Sequence, residues 1–312
     1  MEFLKSRSTT VLLKVMCSLL IVMFIYACYH MSGSVTLRTL WVQDEVRHRL
    51  RGPISPDDPR VLDILRREHL VPPSTKPYNL KNTTFGDVPF ILDNIKKLFG
   101  DQRGGFFVES GAFDGEIGSN TLRLERELGW TGLLIEANPE NYQMVTTKHR
   151  KAWISFSCLS TENHPKEEVI VSLREKNNAA ERRWSSYLVG VKLNTTIYDG
   201  YISSSNKTYY AVQCFPLASY LLALKVSTVD FLSLDIQGAE KSVLKNIPWD
   251  RITIRAMVVE EVHFKDFNHQ FVDDMKNRGF VLIGKNGFDY FFVKGDDPIM
   301  KKVQAMPIPP KN

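Results

Sequence analysis

The sequence predicts an α/β fold, an open and mostly parallel doubly wound sheet closed by an antiparallel hairpin and preceded by one membrane-spanning helix. Three observations carry this. Phe106 to Glu136 reads FFVESGAFDGEIGSNTLRLERELGWTGLLIE. In it an apolar run ends in Glu109, breaks into a turn with Gly111, Asp114, Gly115 and Gly118, passes through an amphipathic helix, and returns as a second apolar run ending in Glu136. Strand, glycine turn, helix, strand, acid is the pattern that holds a nucleoside-containing cofactor at the carboxyl edge of a parallel sheet. Apolar strands and amphipathic helices go on alternating almost to the C-terminus. Finally, Val11 to Tyr29 is apolar apart from Lys14.

The elements follow in order. Nineteen helical residues from Val11 to Tyr29 reach roughly 28 Å, against a bilayer core of about 30 Å, with Lys14 snorkelling at the edge. Lys5, Arg7 and Lys14 keep residues 1–10 in the cytosol and send the rest across the membrane. The small-residue pattern of a cleaved signal peptide is poor here, since Ala27 is followed by Cys28, Tyr29, His30 and Met31. The sequons at Asn82, Asn194 and Asn206 agree with a lumenal orientation. Residues 30–71 read as a lumenal stem, broken by Pro53, Pro56 and Pro59, with a short helix from Val61 to Leu70. The folded domain is expected over 72–312. A helix covers Pro89 to Phe99, a strand Phe106 to Glu109, a helix Asn120 to Leu128 and a strand Gly132 to Glu136. Asn138-Pro139 caps a helix from Glu140 to His149, and Trp153 to Leu159 is the third strand.

Residues 161–208 break the rhythm and read as an insertion with a hairpin, in which Val169 to Leu173 alternates. A strand from Ala211, a helix Leu217 to Leu224, a strand Val229 to Asp235, a helix Ala239 to Asn246, a strand Ala256 to Glu260 and a helix Gln270 to Arg278 follow. Phe280 to Ile283 and Tyr290 to Val293 turn about Asn286-Gly287 as a hairpin.

Composition narrows the function classes. With 43% hydrophobic and 24% charged residues, the 312-residue chain is globular rather than disordered. A net charge of +5, with no basic stripe interleaved with aromatics, gives no reason to expect nucleic acid. No His/Cys pair has the spacing of a zinc site, so no metal is expected. Cys158 and Cys214, the two cysteines of the folded part, are a candidate disulfide in an oxidising lumen, worth about 4 kcal/mol in the chain-entropy account. The alternative is a pair of buried thiols on neighbouring strands.

In Phe231-Leu232-Ser233-Leu234-Asp235-Ile236-Gln237-Gly238-Ala239-Glu240 an apolar strand delivers Asp235 to the same edge as Glu109 and Glu136. Glu260, Glu261 and His263 end the next strand there, and His263 is a candidate general base. The acid closing the second strand suits ribose hydroxyls. NAD and S-adenosylmethionine (SAM) sites share this logic.

FFVESGAFDG, SNT, LGWTGLLIEANPENY, VDFLSLDIQGAEKSVLKNI and MVVEEV, in this order over roughly residues 85 to 294, resemble the FkbM family of methyltransferase-like domains. The resemblance implies a Rossmann-like SAM-methyltransferase fold and O-methyl transfer to sugar-like hydroxyls. It places Glu109, Gly111, Asp114 and Gly115 along the methionine end of SAM, Glu136 on the ribose with Asn138 beside it, and Asp235 near the transferred methyl. Two positions depart from the family: Gln237 stands where a Glu is usual, and an upstream Ser-Gln-x-Gly-Gln-Asp signature is reduced to Phe85-Gly86-Asp87. Anchor, Pro-rich stem and lumenal domain together resemble the arthropod Star-like group of type II membrane proteins. That resemblance implies residence in the endoplasmic reticulum and Golgi, at a bilayer, and a role in exporting a membrane-anchored growth-factor precursor that signals through the EGF receptor. The enzyme reading implies instead a glycan or glycoprotein acceptor.

Overall fold

The structure, a computed structural model, describes residues 18–24, 26, 50, 53–81, 89–175, 186–188, 205–262 and 267–310. Its contacts divide the chain into Met1–Arg49 and Leu50–Asn312. In the first unit residues 18–24 and 26 are helical and exposed; the rest of the expected anchor, 11–29, lies outside the described residues. Among the described residues no helix is long and apolar enough to cross a membrane.

The second unit begins at Leu50, so residues 50–71, read as stem, fall within it. Asp58 caps helix α1 (Pro59–Ile64), its carboxylate accepting from the Arg60 N–H at 2.9 Å, and the helix runs on through a π turn, Leu65–His69. Val61, Ile64 and Leu65 are buried, Arg66 Nε donates to the Ala223 carbonyl at 2.8 Å, and Val71 bridges Ile154. The prolines that suggested a linker therefore shape a helix whose apolar side belongs to the domain core.

Along the chain follow α2 (Pro89–Phe99), β1 (Phe106–Ser110), α3 (Leu122–Leu128), β2 (Thr131–Glu136), α4 (Pro139–Thr147) and β3 (Trp153–Phe156). Then come β4 (Cys158–Leu159), β5 (Lys166–Glu175), β6 (Ser186–Leu188), β7 (Ser205–Phe215), α5 (Leu217–Leu224), β8 (Thr228–Leu234) and α6 (Glu240–Lys245). The domain closes with β9 (Thr253–Glu260), α7 (His269–Asn277), β10 (Phe280–Asn286), β11 (Asp289–Lys294) and a 3-10 turn, Pro298–Lys302. The main sheet has the order β10-β11-β9-β8-β1-β2-β3. Every pairing in it is parallel except β9·β11 and β10·β11. From β1 the chain winds outward through β2 to β3, then crosses back to place β8 on the other side of β1. Strand order reverses between β1 and β8, which is where a doubly wound sheet opens a crevice at its carboxyl edge.

Under this edge Phe107, Trp130, Phe231 and Phe291 pack with Ile91, Ile95 and Phe99 of α2. Trp130 meets Phe99 edge-on, with ring centroids 4.9 Å apart, and satisfies its indole N–H on the Gln102 carbonyl at 2.7 Å.

Two expectations are corrected. Trp153 to Leu159 is not one strand: the chain leaves the main sheet after Phe156, and β4 joins a second sheet of order β4-β7-β5-β6. The insertion is more than a hairpin. β5 pairs antiparallel with β7 over ten residues, Lys166 to Glu175, and β7 starts at Ser205 rather than Ala211. Val212 and Cys214 of β7 are buried and Tyr209 is exposed; the polar first half forms strand through its pairing with β5. Asn206 thus lies in a strand, and Asn82 and Asn194 lie outside the described residues. Cys158 and Cys214 sit opposite each other in the β4·β7 register and are joined by a disulfide.

Candidate functional site

A cavity opens at the reversal point between the loops that follow β1, β2 and β8, with the second sheet supplying Ile170 and Ser186 to its wall. The loop after β1 is pinned from below. Glu109 is buried and accepts from Ser119 Oγ at 2.8 Å, Thr121 Oγ1 at 2.6 Å and the Asn120 N–H at 2.8 Å. Burial pushes its carboxyl above the usual range, against Arg150 and these donors. Arg150, itself fully buried, donates to Glu125 at 2.9 Å, to Ser119 Oγ and Thr121 Oγ1 at 3.2 Å, and to the Gly115 carbonyl. Asp114 accepts from the N–H groups of Glu116 and Ile117 at 2.8 and 2.6 Å, and its other oxygen pairs with Lys148 at 3.1 Å. Lys148 also bonds Glu116 at 2.7 Å; burial works against its charge, but the two carboxylates outweigh that and hold its pKa above the ordinary value.

Two backbone features fix how this loop meets its neighbours. Gly111, at φ +87°, passes so close to β8 that a Cβ would lie 1.8 Å from the Asp235 carbonyl oxygen, so only glycine fits. Phe113, at φ +51°, turns its N–H onto Glu136. A bulky residue there is strained, and such strain concentrates at functional sites.

Glu136 ends β2 in the cavity wall. Its oxygens accept from the N–H groups of Phe113 and Asn138, each at 2.8 Å, and burial raises its pKa to about 7 despite these donors and the Asn141 side chain. A carboxylate has about four acceptor positions, so capacity remains for further donors. Asn138 caps α4, accepting from the N–H groups of Glu140 and Asn141 at 2.9 and 3.3 Å. Its amide reaches the second sheet at Ser172 and Ser186, at 2.8 and 2.9 Å. Asn141, one turn into α4, also lines the cavity; it is buried, and its Oδ1 has no hydrogen-bond partner.

The rim after β8 and β9 differs. Asp235 is exposed and lines the cavity, and the Gln237 amide links it to Glu260, at 2.7 and 2.6 Å. Gln237 adopts φ +55° to do so. Burial, then the Asp235 charge, raise Glu260 well above a normal carboxyl, and the same two causes raise Asp289, paired opposite Glu260 in the β9·β11 register, to about 6. Glu240 pins its own loop, accepting from the N–H of Ile236 at 2.8 Å and of Gly238 at 2.9 Å, and burial lifts it to about 8. The Lys285 charge works against the rise at Asp289, and among the described residues no three His, Cys, Asp or Glu are grouped to hold a metal.

The model of the FkbM methyltransferase domain matches residues 109–282, more than half of the chain and the segment carrying this cavity. The chain belongs to the FkbM methyltransferase-domain family. No curated protein matches it. Among solved structures, a mutant of MtNAS aligns at 11% identity and TM-score 0.33 over 67% of this chain and 60% of its own. A SAM-dependent methyltransferase from Aquifex aeolicus aligns at 11% identity and TM-score 0.28, over 66% and 92%. The chain thus spans about 60% of the length of the first of these.

Of the residues the FkbM resemblance pointed to, the structure brings Glu109, Gly111, Glu136 and Asp235 to one cavity, with Cys158 of the disulfide in the same wall. Three are placed elsewhere. Asp114 turns to Lys148, Gly115 packs on Val145 of α4 with its missing Cβ, and Asn138 caps α4. Glu109 lines the cavity, but both its oxygens are engaged by the loop. His263 lies outside the described residues. Sequence reasoning passed over Asn141; the available signal was a polar residue on the first turn of the helix that follows the ribose-type acid.

An FkbM domain implies SAM, and these residues suit it. Glu136 keeps acceptor capacity toward the cavity, and Asn141, in the same wall, has a buried oxygen without a hydrogen-bond partner. Gly118, at φ +73°, has nothing within 4 Å of a would-be Cβ, leaving the loop open on that side.

Proposed function

We propose that this chain is a SAM-dependent methyltransferase acting on a hydroxyl of a glycan or glycoprotein. The observation that carries this reading is Glu136, a buried acid closing β2 beside the Gly111 loop, with acceptor positions to spare at the switch point of the sheet. SAM, when bound, supplies an electrophilic methyl group. Glu136 and Asn141 orient the ribose, and the β1 loop excludes water from the far side. Asp235, exposed at the mouth, would accept the proton of an acceptor hydroxyl. Glu260, raised by burial and by Asp235, holds its proton at neutral pH and so keeps the rim from carrying two adjacent charges.

A second reading has a specific observation behind it. The Gln237 amide occupies one oxygen of Asp235, where the family usually has an acid. A rim tied up in this way suits a binding module, and on this reading the chain is a Star-like escort for a membrane-anchored growth-factor precursor. Both readings place the domain in the lumen of the endoplasmic reticulum or Golgi, behind a type II anchor at 11–29. The disulfide and the three sequons support that compartment.

Calorimetry of the purified full-length chain with SAM separates the two. The enzyme reading expects saturable binding and methyl transfer to a hydroxylated acceptor. Absence of both heat and thermal shift at millimolar SAM rejects it and leaves the escort reading, which in turn requires that cargo export fall when the chain is deleted.

A further inference from the structure

We infer that Asn141 is a specificity residue for the nucleoside, its Oδ1 accepting a hydrogen bond from a ribose hydroxyl next to the one held by Glu136. This inference deepens the proposed SAM site and rests on it.

Three observations converge. Asn141 is 4% exposed, lines the cavity, and its Oδ1 is buried without a hydrogen-bond partner. A buried acceptor left without a donor costs about 1–3 kcal/mol, so a fold retains one where something outside the chain completes it. The side chain also works on Glu136, favouring its ionised form. A carboxylate only accepts, so it is the amide nitrogen that serves Glu136, which leaves the Oδ1 as the group still to be satisfied. Lastly, α4 fixes the placement. Asn138 caps its start and donates its own N–H to Glu136, so acid, cap and Asn141 move as one unit.

Two acceptors held side by side in this way match two vicinal donors. The two hydroxyls of a ribose are such a pair, standing a hydrogen-bond length apart on neighbouring carbons. Glu136 keeps an acceptor position on each oxygen; with Asn141 beside it the wall offers separate acceptors to the two hydroxyls. The site would then reject a deoxyribose, because removing one hydroxyl leaves Asn141 Oδ1 as orphaned as before.

The test is calorimetric titration of the full-length chain with S-adenosylhomocysteine and with its 2′-deoxy and 3′-deoxy counterparts. The unaltered chain should bind the parent about tenfold more tightly than either deoxy form. Asn141→Ala should erase that preference for one deoxy form and keep it for the other, which belongs to Glu136. Asn141→Leu, which fills the side-chain volume, should give the same pattern and serves if the alanine variant fails to fold. A uniform loss for all three ligands would make Asn141 a packing residue and overturn the inference, as would an unchanged preference in both variants. Either result leaves the SAM site standing. If the unaltered chain binds none of the three, the inference and the proposed site fall together.

Discussion

Two clusters of charged side chains border the cavity's loops and are built on opposite rules. Beneath the loop after β1, acids meet cations or donors: Asp114 and Glu116 share Lys148, Glu125 holds Arg150, and Glu109 takes three donors. Around the β8–β9 rim, Asp235, Glu260 and Asp289 crowd together, the Gln237 amide joining the first two, and burial, then the Asp235 charge, raises Glu260 and Asp289. Paired buried charge fixes geometry and is silent toward ligands. Crowded acids cost stability and are retained where chemistry uses them. Glu136 stands between the two classes: it has protein donors, yet burial still raises it to about 7.

The largest effect should come from breaking the paired side. Arg150→Met strands Glu125 and removes three contacts to the loop, and should cost about 3–5 kcal/mol in urea denaturation. A loss below 1 kcal/mol would show that the network is not what holds the loop. Next in size is the disulfide, which joins β4 to β7 within the second sheet and places Cys158 in the cavity wall. Cys158→Ser with Cys214→Ser should lower stability by about 2–4 kcal/mol and weaken nucleoside binding in the same samples. Equal stability of oxidised and reduced chain would remove that tie from the account.

Smaller and of opposite sign is the rim. Glu260→Gln removes one of the crowded acids, and should raise stability by about 1 kcal/mol at pH 8 while lowering methyl transfer. Loss of stability there would mean that the rim is structural after all. The unaltered chain should show the same physics in its pH profile. Folded-state pKa values raised to about 6 at Asp289, 7 at Glu136 and 8 at Glu240 mean that the folded state binds more protons than the unfolded one between about pH 4 and pH 8. Stability from these groups is complete below that window and is lost as pH rises through it. Chemical denaturation at half-unit steps checks the slope, and Glu260→Gln should flatten it.

The division also explains what could be read in the sequence. The main sheet was legible because its strands are apolar runs ending in acids, as in Phe231 to Asp235, and its helices carry their own caps, as Asn138 shows. The second sheet was legible in part: Val169 to Leu173 and the strand from Ala211 were read, but the first half of β7, Ser205 to Thr208, is polar, and its strand character comes from pairing with β5, distant in the chain. Within the site, position at a strand end located Glu136 and Asp235, but the direction of a side chain in a glycine loop depends on partners distant in sequence. Lys148 and Arg150 come from beyond α4, and only the fold shows that they claim Asp114 and the Gly115 carbonyl. Gly111 was expected along the methionine end of SAM; it lines the cavity, and its missing Cβ spares a clash with the Asp235 carbonyl oxygen.

Glu136→Gln tests the central claim most directly, because this acid should cost the fold stability and give the site its ligand. Binding of S-adenosylhomocysteine and urea denaturation should be measured at pH 6 and pH 8 for both chains. The unaltered chain should bind more tightly at pH 8, where the carboxylate is ionised through a pKa of about 7. The glutamine variant should lose about 1.5–3 kcal/mol of binding and all of that pH dependence, while its stability at pH 8 stays equal or rises. Unchanged affinity in the variant, or a variant that unfolds at both pH values, would place Glu136 among the paired structural charges and contradict the account.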